Sequence, residues 1–170
     1  MGCIEAAMAA IIRDETKSDL AAIRTVHRLA FAGEVEARLV DALRNSGDAV
    51  LSLVAERENR VVGHVLLSRL EAPMRALALA PVGVLPDQQG RGFGSALIRA
   101  GLERARREGF DAVFVLGEPA FYRRFSFSVE DARDYESVYA GAFFMVRPLV
   151  AGSLTTAGRI DYPAAFADLG

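Results

Sequence analysis

The stretch that most constrains this chain is Val82-Gly83-Val84-Leu85-Pro86-Asp87-Gln88-Gln89-Gly90-Arg91-Gly92-Phe93-Gly94-Ser95, which joins an apolar run to an amphipathic one through three glycines in five residues. Glycine admits positive φ and lets a bulky group approach the backbone. The helix that follows starts with unpaired N–H groups and the positive end of its dipole, a combination that favours a phosphate. The segment therefore reads as an anion cradle between a strand and a helix, or as a glycine-rich turn without a ligand. Two common nucleotide cradles fail on spacing. A Gly-x-Gly-x-x-Gly dinucleotide loop would need glycine where Ser95 or Leu97 stands, and Asp111 begins the next strand where that loop wants an acidic residue at its end. The Gly-Lys-Ser/Thr of a P-loop is absent.

Around this segment the periodicity changes twice. Ile11-Ile12-Arg13 reads as a short strand. A helix then runs to about Ala30 with Thr16, Ser18 and Asp19 as N-cap candidates, and a second spans Val35 to Asn45 with Gly47 as terminator. Ala49–Arg57 and Val61–Leu70 read as strands around a hairpin turn at Glu58-Asn59-Arg60. A third strand, Leu77–Leu85, contains Pro81, which cannot donate to a ladder and so marks an edge or a bulge. Gly94 to Glu108 is the clearest helix, with Leu97, Ile98, Gly101, Leu102 and Ala105 in one stripe and Gly109 as its cap. Ala112–Leu116 is wholly apolar, as expected of a strand buried on both faces. A helical turn at Ala120–Arg124, the run Phe125–Val129 and a last strand at Phe143–Val150 complete the pattern. Helices first, an antiparallel meander next and a strand–helix–strand unit last predict an α/β (α+β) fold: a mixed, mostly antiparallel central sheet flanked by helices. The expected organisation is an extension over 1–9, one domain over 10–150, and a tail over 151–170 that packs on or near it.

A chain of 170 residues supports one buried core. With 52% hydrophobic residues, 25% charged residues and a net charge of -2, it offers no global field for nucleic acid or an anionic membrane. Arg104, Arg106 and Arg107 cluster in the last turn of a predicted helix, where cations complement the dipole. One cysteine, Cys3, rules out an internal disulfide, and no His/Cys cluster suggests a metal. His27 and His64 fall on different predicted elements and read as satisfied polar residues. No apolar run is long enough to span a membrane, Ala6 stands where a myristoylation motif wants Ser or Thr, and Met8 is an alternative start. The expected location is cytoplasmic.

Gln89-Gly90-Arg91-Gly92-Phe93-Gly94 resembles the Gln/Arg-x-x-Gly-x-Gly/Ala signature of the GNAT N-acetyltransferase superfamily, and the element order over roughly 10–150 resembles that fold. Pro-Val-Gly-Val-Leu-Pro, Val-Phe-Val-Leu-Gly-Glu-Pro and Arg-Ile-Asp-Tyr-Pro-Ala-Ala-Phe look like a bacterial subgroup of it. The resemblance implies acetyl-CoA as cosubstrate and direct acetyl transfer to an amine in a ternary complex. It implies that Val82, Gly83 and Val84 pair with the pantetheine arm as an added strand would, and that Gln89, Gly90, Arg91, Gly92, Phe93, Gly94 and Ser95 form the pyrophosphate loop. Pro81 falls where the superfamily bulges this strand to open a gap for the thioester.

Phe121-Tyr122-Arg123-Arg124-Phe125-Ser126-Phe127 resembles the superfamily's Phe-Tyr-x-x-x-Gly-Phe motif, which implies Tyr122 as general acid to the CoA thiolate. A phenol of pKa ~10 is protonated at neutral pH and can stabilise a thiolate whose thiol titrates near ~8.5. As a residue alone, Tyr122 reads equally as a core aromatic with its hydroxyl at the rim. Ser126 departs from the motif's glycine.

A base is harder to place. Leu77-Ala78-Leu79-Ala80-Pro81 offers no carboxylate; Glu34, Glu36 and Glu118 are the candidates, and a water chain or an acceptor that arrives neutral would also serve. A backbone N–H near Val84 is the expected oxyanion donor. The lack of a base on this strand keeps a second reading alive, a catalytically silent CoA-binding sensor or interaction module. Small amines, antibiotics, peptide N-termini and protein lysines are all compatible acceptors, and a homodimer is compatible with the sequence. Neither a metal, a nucleic acid nor a membrane is expected as partner.

Overall fold

Two-sided hydrophobic alternation on the central strands dictates a sheet covered on both faces, and the computed structural model has that architecture. It describes residues 10–154 and 157–169. The extension over 1–9, with Cys3 and Met8, lies outside the described residues. In chain order the elements are β1 (Ile11–Asp14), α1 (Leu20–Ala30), α2 (Val35–Ser46), β2 (Ala49–Arg57), β3 (Arg60–Arg69), β4 (Ala76–Val84), α3 (Phe93–Arg107), β5 (Ala112–Leu116), the single turns α4 (Pro119–Tyr122) and α5 (Val129–Ala132), then β6 (Tyr135–Glu136), β7 (Phe144–Pro148) and β8 (Gly158–Arg159). Six strands form one sheet in the order β1-β2-β3-β4-β5-β7, antiparallel except at β4–β5, and β6 pairs with β8 apart from it.

Local chemistry explains the turns. Glu58 and Asn59 both take positive φ, 53° and 61°, between the closing pair Arg57 and Arg60, as a two-residue hairpin loop with the twist of its strands requires. Strand β3 therefore begins at Arg60, one residue before the sequence suggests. Asp19 accepts the Thr16 N–H at 2.7 Å and a guanidinium N–H of Arg13 at 2.7 Å, joining the start of α1 to β1.

Strand parity sorts the core into two layers. Val65, Leu67, Leu77, Leu79, Val113 and Val115 face α3, meeting Leu97, Ile98, Leu102 and Ala105 of the predicted stripe. Val54, Leu66, Ala78 and Phe114 face the other way, toward Ile23 of α1 and Leu39, Val40 and Leu43 of α2. Phe125–Val129 forms no strand of its own. Arg123–Phe125 is a 3-10 turn, Ser126 takes φ 66°, and Ser128 makes one antiparallel bridge to Val146. Beyond residue 150, Asp161 bridges Glu71, Ile160 and Phe166 are buried, and the Tyr139 hydroxyl donates to the Phe166 carbonyl at 3.2 Å.

The decisive irregularity lies in β4. Val82 is opposite Val65 and Leu79 is opposite Leu67, so Ala80 and Pro81 together face the single residue Leu66. This is the bulge expected at Pro81. It inverts parity: Leu77 and Leu79 face α3 before it, Val82 and Val84 face α3 after it, and Gly83 turns toward α1.

Behind Gly83 lie the two histidines, both fully buried. His27 Nε2 and His64 Nδ1 share a hydrogen bond of 2.8 Å, and His64 Nε2 meets Ser52 Oγ at 2.7 Å. Burial, reinforced by the nearby Arg44 guanidinium, pushes His27 down to about 4, and burial beside His27 and Arg44 holds His64 well below its ordinary value. Both imidazoles are therefore neutral in the fold and free to protonate in the unfolded chain. The folded pKa values are depressed, so the stability associated with the pair is fully present above about pH 6.5 and is lost as pH falls toward 4. Thermal melts from pH 8 to pH 4 should show a flat plateau and then a decline beginning near ~6.5, above the range where carboxylates titrate. The double variant His27→Asn/His64→Asn should lose that early decline. A wild-type midpoint unchanged down to about pH 4.5 would refute the sealed, neutral pair.

Candidate active site

Parallel pairing between β4 and β5 covers only Ala76–Ala78 against Ala112–Phe114. Beyond Ala78 the bulge carries β4 away, β5 ends at Leu116, and among the described residues no strand flanks Pro81–Val84 on that side. A strand with one neighbour leaves alternate N–H and C=O groups free along its open edge. This edge forms the wall of a cleft of about 670 Å³, lined by Val82, Gly83 and Val84, by Gln89, Gly90, Gly92, Phe93, Gly94 and Ser95, and by Tyr122. Every position expected of the loop lines it except Arg91, which is exposed. Ala30 and Phe31 at the end of α1, Gln88, Ile98, Phe121 and Arg124 complete the walls.

The loop is held open by backbone geometry. Gly90 and Gly92 sit at φ 75° and 87°, and no atom lies within 4 Å of where a Cβ would be at either. Gly92 is the N-cap of α3, so the free N–H groups of its first turn face this space. Gly94 differs: it is already helical, without positive φ, and a Cβ there would make an ordinary 3.6 Å contact with Val84. Gln89 donates from Nε2 to the Val84 carbonyl at 3.0 Å, tying loop to strand, while Gln88 Oε1 accepts from Arg57 at 2.9 Å. Pattern alone singled out Gln89 and not Gln88, whose contact is with a strand thirty-one residues away in sequence.

Tyr122 enters from the opposite wall. Its ring is buried among Phe121, Phe125 and Phe127, with centroids 5.0, 6.4 and 5.6 Å away. Gly117 lies against it so closely that a Cβ would collide with the ring. Among the described residues no protein group bonds the hydroxyl, which faces the cleft, and desolvation pushes the phenol up to about 12. Ser126 adopts the left-handed conformation that the usual glycine takes freely, so the turn after Tyr122 forms without it.

The carboxylates do not converge here. Glu34 pairs with Arg28 at 2.7 Å, Glu36 is half-buried, Glu118 is exposed, and none of the three lines the cleft. The nearest buried ionisable groups are the histidines behind β4. His27 Nδ1 has no hydrogen-bond partner and would lie 2.9 Å from a Cβ on Gly83. Spacing could not reveal this pair, because it joins a helix to a strand thirty-seven residues on. No group of three or more metal-ligating side chains occurs among the described residues, and no described helix is long and apolar enough to cross a membrane.

Comparison with known proteins agrees with this geometry. Residues 20–127 match the family model described as Acetyltransferase (GNAT) family. Over 158 residues the chain is 37% identical to a protein named "Uncharacterized N-acetyltransferase YjhQ" from Escherichia coli K12, covering 85% of this chain and 87% of that one. The crystal structure of the Escherichia coli GNAT family N-acetyltransferase YhbS in complex with CoA superposes with a TM-score of 0.89 at 31% identity, over 95% of this chain and 93% of that chain. A GNAT family acetyltransferase from Brucella melitensis in complex with acetyl-CoA superposes with a TM-score of 0.78 at 34% identity, over 94% and 99%. A six-stranded mixed sheet parted at β4–β5, a glycine loop opening α3 and the family match together place the chain in the GNAT acetyltransferase family.

Proposed function

We propose that this protein transfers the acetyl group of acetyl-CoA directly to an amine in a ternary complex, with Tyr122 as the acid facing the departing sulfur. The carrying observation is the convergence of three features on one cleft: the unpaired edge of Val82–Val84, the open glycine loop at the start of α3, and the phenol of the buried Tyr122 ring. The relatives captured with CoA and acetyl-CoA support the same ligand here.

Acetyl-CoA supplies the acyl group already activated as a thioester. The protein holds and orients it. Free backbone groups of Val82–Val84 hydrogen-bond an extended amide-bearing arm as a neighbouring strand would, and the N–H groups after Gly92 face a pyrophosphate. In this reading a backbone N–H near Val84 stabilises charge on the carbonyl oxygen. Tyr122 keeps its proton at Oη at any physiological pH, because desolvation raises its pKa. It therefore acts as a hydrogen-bond donor to sulfur as the C–S bond breaks, and the proton shed by the attacking amine passes through water to the released thiolate or to solvent. Ala30 and Phe31 form the wall away from α3, which leaves that side of the cleft to the amine.

A second reading, a CoA-binding module without transfer, is favoured by the lack of any Asp or Glu in the lining. Two measurements test the ligand and its loop, and a third separates these readings. Acetyl-CoA and CoA should raise the melting temperature, by the equivalent of about 2.7 kcal/mol at one hundred times Kd, while NAD should not. Stabilisation by NAD alone would refute the proposed ligand.

Gly92→Val should weaken CoA binding markedly, because a β-branched residue resists φ 87° and its side chain enters the phosphate space. Gly94→Ala should bind CoA nearly as wild type. Equal calorimetric affinities for Gly92→Val and wild type would reduce the loop to a turn.

Tyr122→Phe should lower turnover about 10²-fold at unchanged acetyl-CoA affinity, measured as thiol release across a panel of amine acceptors. With the phenol held near 12, turnover should show no loss from Tyr122 deprotonation up to about pH 10. Wild-type release that the variant reproduces would assign Tyr122 to the core. No release with any amine, despite CoA binding, would support the silent module.

A further inference from the structure

A second cavity of about 270 Å³ lies beside the first, and Arg124 lines both. Four arginines line it; Arg106 is taken up by Glu103, which leaves three guanidiniums from three elements: Arg99 from α3, Arg124 from the turn after α4, and Arg147 from β7. None of them pairs with a carboxylate among the described residues. The only acidic residue in the lining, Glu103, is engaged by Arg106 at 2.6 Å and Arg107 at 3.3 Å. A chain of net charge -2 thus gathers three uncompensated cations in one cavity, and like charges brought together without a counter-ion repel.

The arrangement is built around Phe125. Arg99 lies 4.9 Å from its ring centroid and Arg124 5.5 Å, while Arg147 donates to its carbonyl at 3.0 Å. Arg124 also donates to Ser95 Oγ at 2.8 Å. Ser95 belongs to the first turn of α3, so the cations begin where the phosphate-facing loop ends. An extended ligand laid along β4 and crossing this loop leaves it on the Ser95 side, toward Arg124 and then Arg99.

We propose that this cavity binds a phosphomonoester dianion, the 3′-phosphate on the adenosine of CoA, and that Arg99 and Arg124 make the protein discriminate between CoA and 3′-dephospho-CoA. The inference rests on the acetyl-CoA reading. A dianion with three terminal oxygens fits planar guanidiniums better than any neutral ligand, since each fork can meet two oxygens. Arg147, already held by the Phe125 carbonyl, supplies field and support.

Isothermal titration of CoA and of 3′-dephospho-CoA into the wild type, Arg99→Gln, Arg124→Gln and the double variant tests this. Wild type should bind CoA about tenfold to a hundredfold more tightly than 3′-dephospho-CoA, the range expected for hydrogen bonds to a charged group. Each single variant should shrink that ratio and the double variant should bring it close to one, because CoA loses more affinity than 3′-dephospho-CoA does. Both side chains are exposed, and melting curves of the free variants report the fold. Arg123→Gln, an equal charge change on the same turn outside the cavity, should leave the ratio intact. Equal affinity of the two ligands for wild type overturns the inference and leaves the acetyl-CoA reading standing. A ratio that Arg123→Gln lowers as much as Arg99→Gln also overturns it, by reducing the effect to diffuse charge. If neither ligand binds, the acetyl-CoA reading fails and this inference falls with it.

Discussion

One extra residue in β4 governs this molecule. Opposing Ala80 and Pro81 to the single Leu66 bends the strand, exchanges its faces and ends its pairing with β5 after Ala78. Had the ladder continued in register, Val82 and Val84 would have faced α1, and Gly83 would have met α3 instead of the His27 ring. The bulge lets the same strand serve the core with Leu77 and Leu79, then present an open backbone edge five residues later. Proline suits the position, because a ring nitrogen has no N–H to lose from the ladder.

The site draws on this frame from three sides. β4 supplies the edge, the start of α3 supplies dipole and free N–H groups, and the turn after β5 supplies Tyr122. The tyrosine is fixed by an aromatic cluster and by Gly117 packed against its ring, so its orientation is set by packing and not by a hydrogen bond to the protein. The same desolvation that raises its pKa makes it a persistent donor. At about 12 the phenol is a weaker acid than a CoA thiol, so stabilising the thiolate by hydrogen bonding is an easier task for it than full proton transfer.

Much of this was legible in the sequence, for local reasons. The glycine spacing and helix stripe of 90–105 report backbone needs and a single buried face, and both were found where the pattern put them. Pro81 signalled the bulge because proline's lack of a donor is a property of the residue itself. Ser126 looked like a defect in a motif, yet its φ of 66° shows that the turn needs only a left-handed residue. What the pattern missed is tertiary. β6 and β8 are two residues each and pair across more than twenty residues, too short to show any period. His27 reads as one more polar residue on α1 and His64 as an interruption in β3; only their meeting under Gly83 makes them a unit. Arg99, Arg124 and Arg147 share no spacing at all.

The open edge of β4 also bears on how this protein avoids itself. Unpaired strand edges at the rim of a sheet invite other chains to add on, and proteins usually blunt them with charge or proline. Here the edge is interior. It lines the cleft between the end of α1 and the Phe121–Arg124 turn, whose walls stand on either side of it. Only a thin, flexible, amide-bearing molecule can thread in, so the walls select by cross-section before any hydrogen bond forms. A surface that would promote aggregation at an open rim is flanked here by walls and left to a narrow visitor.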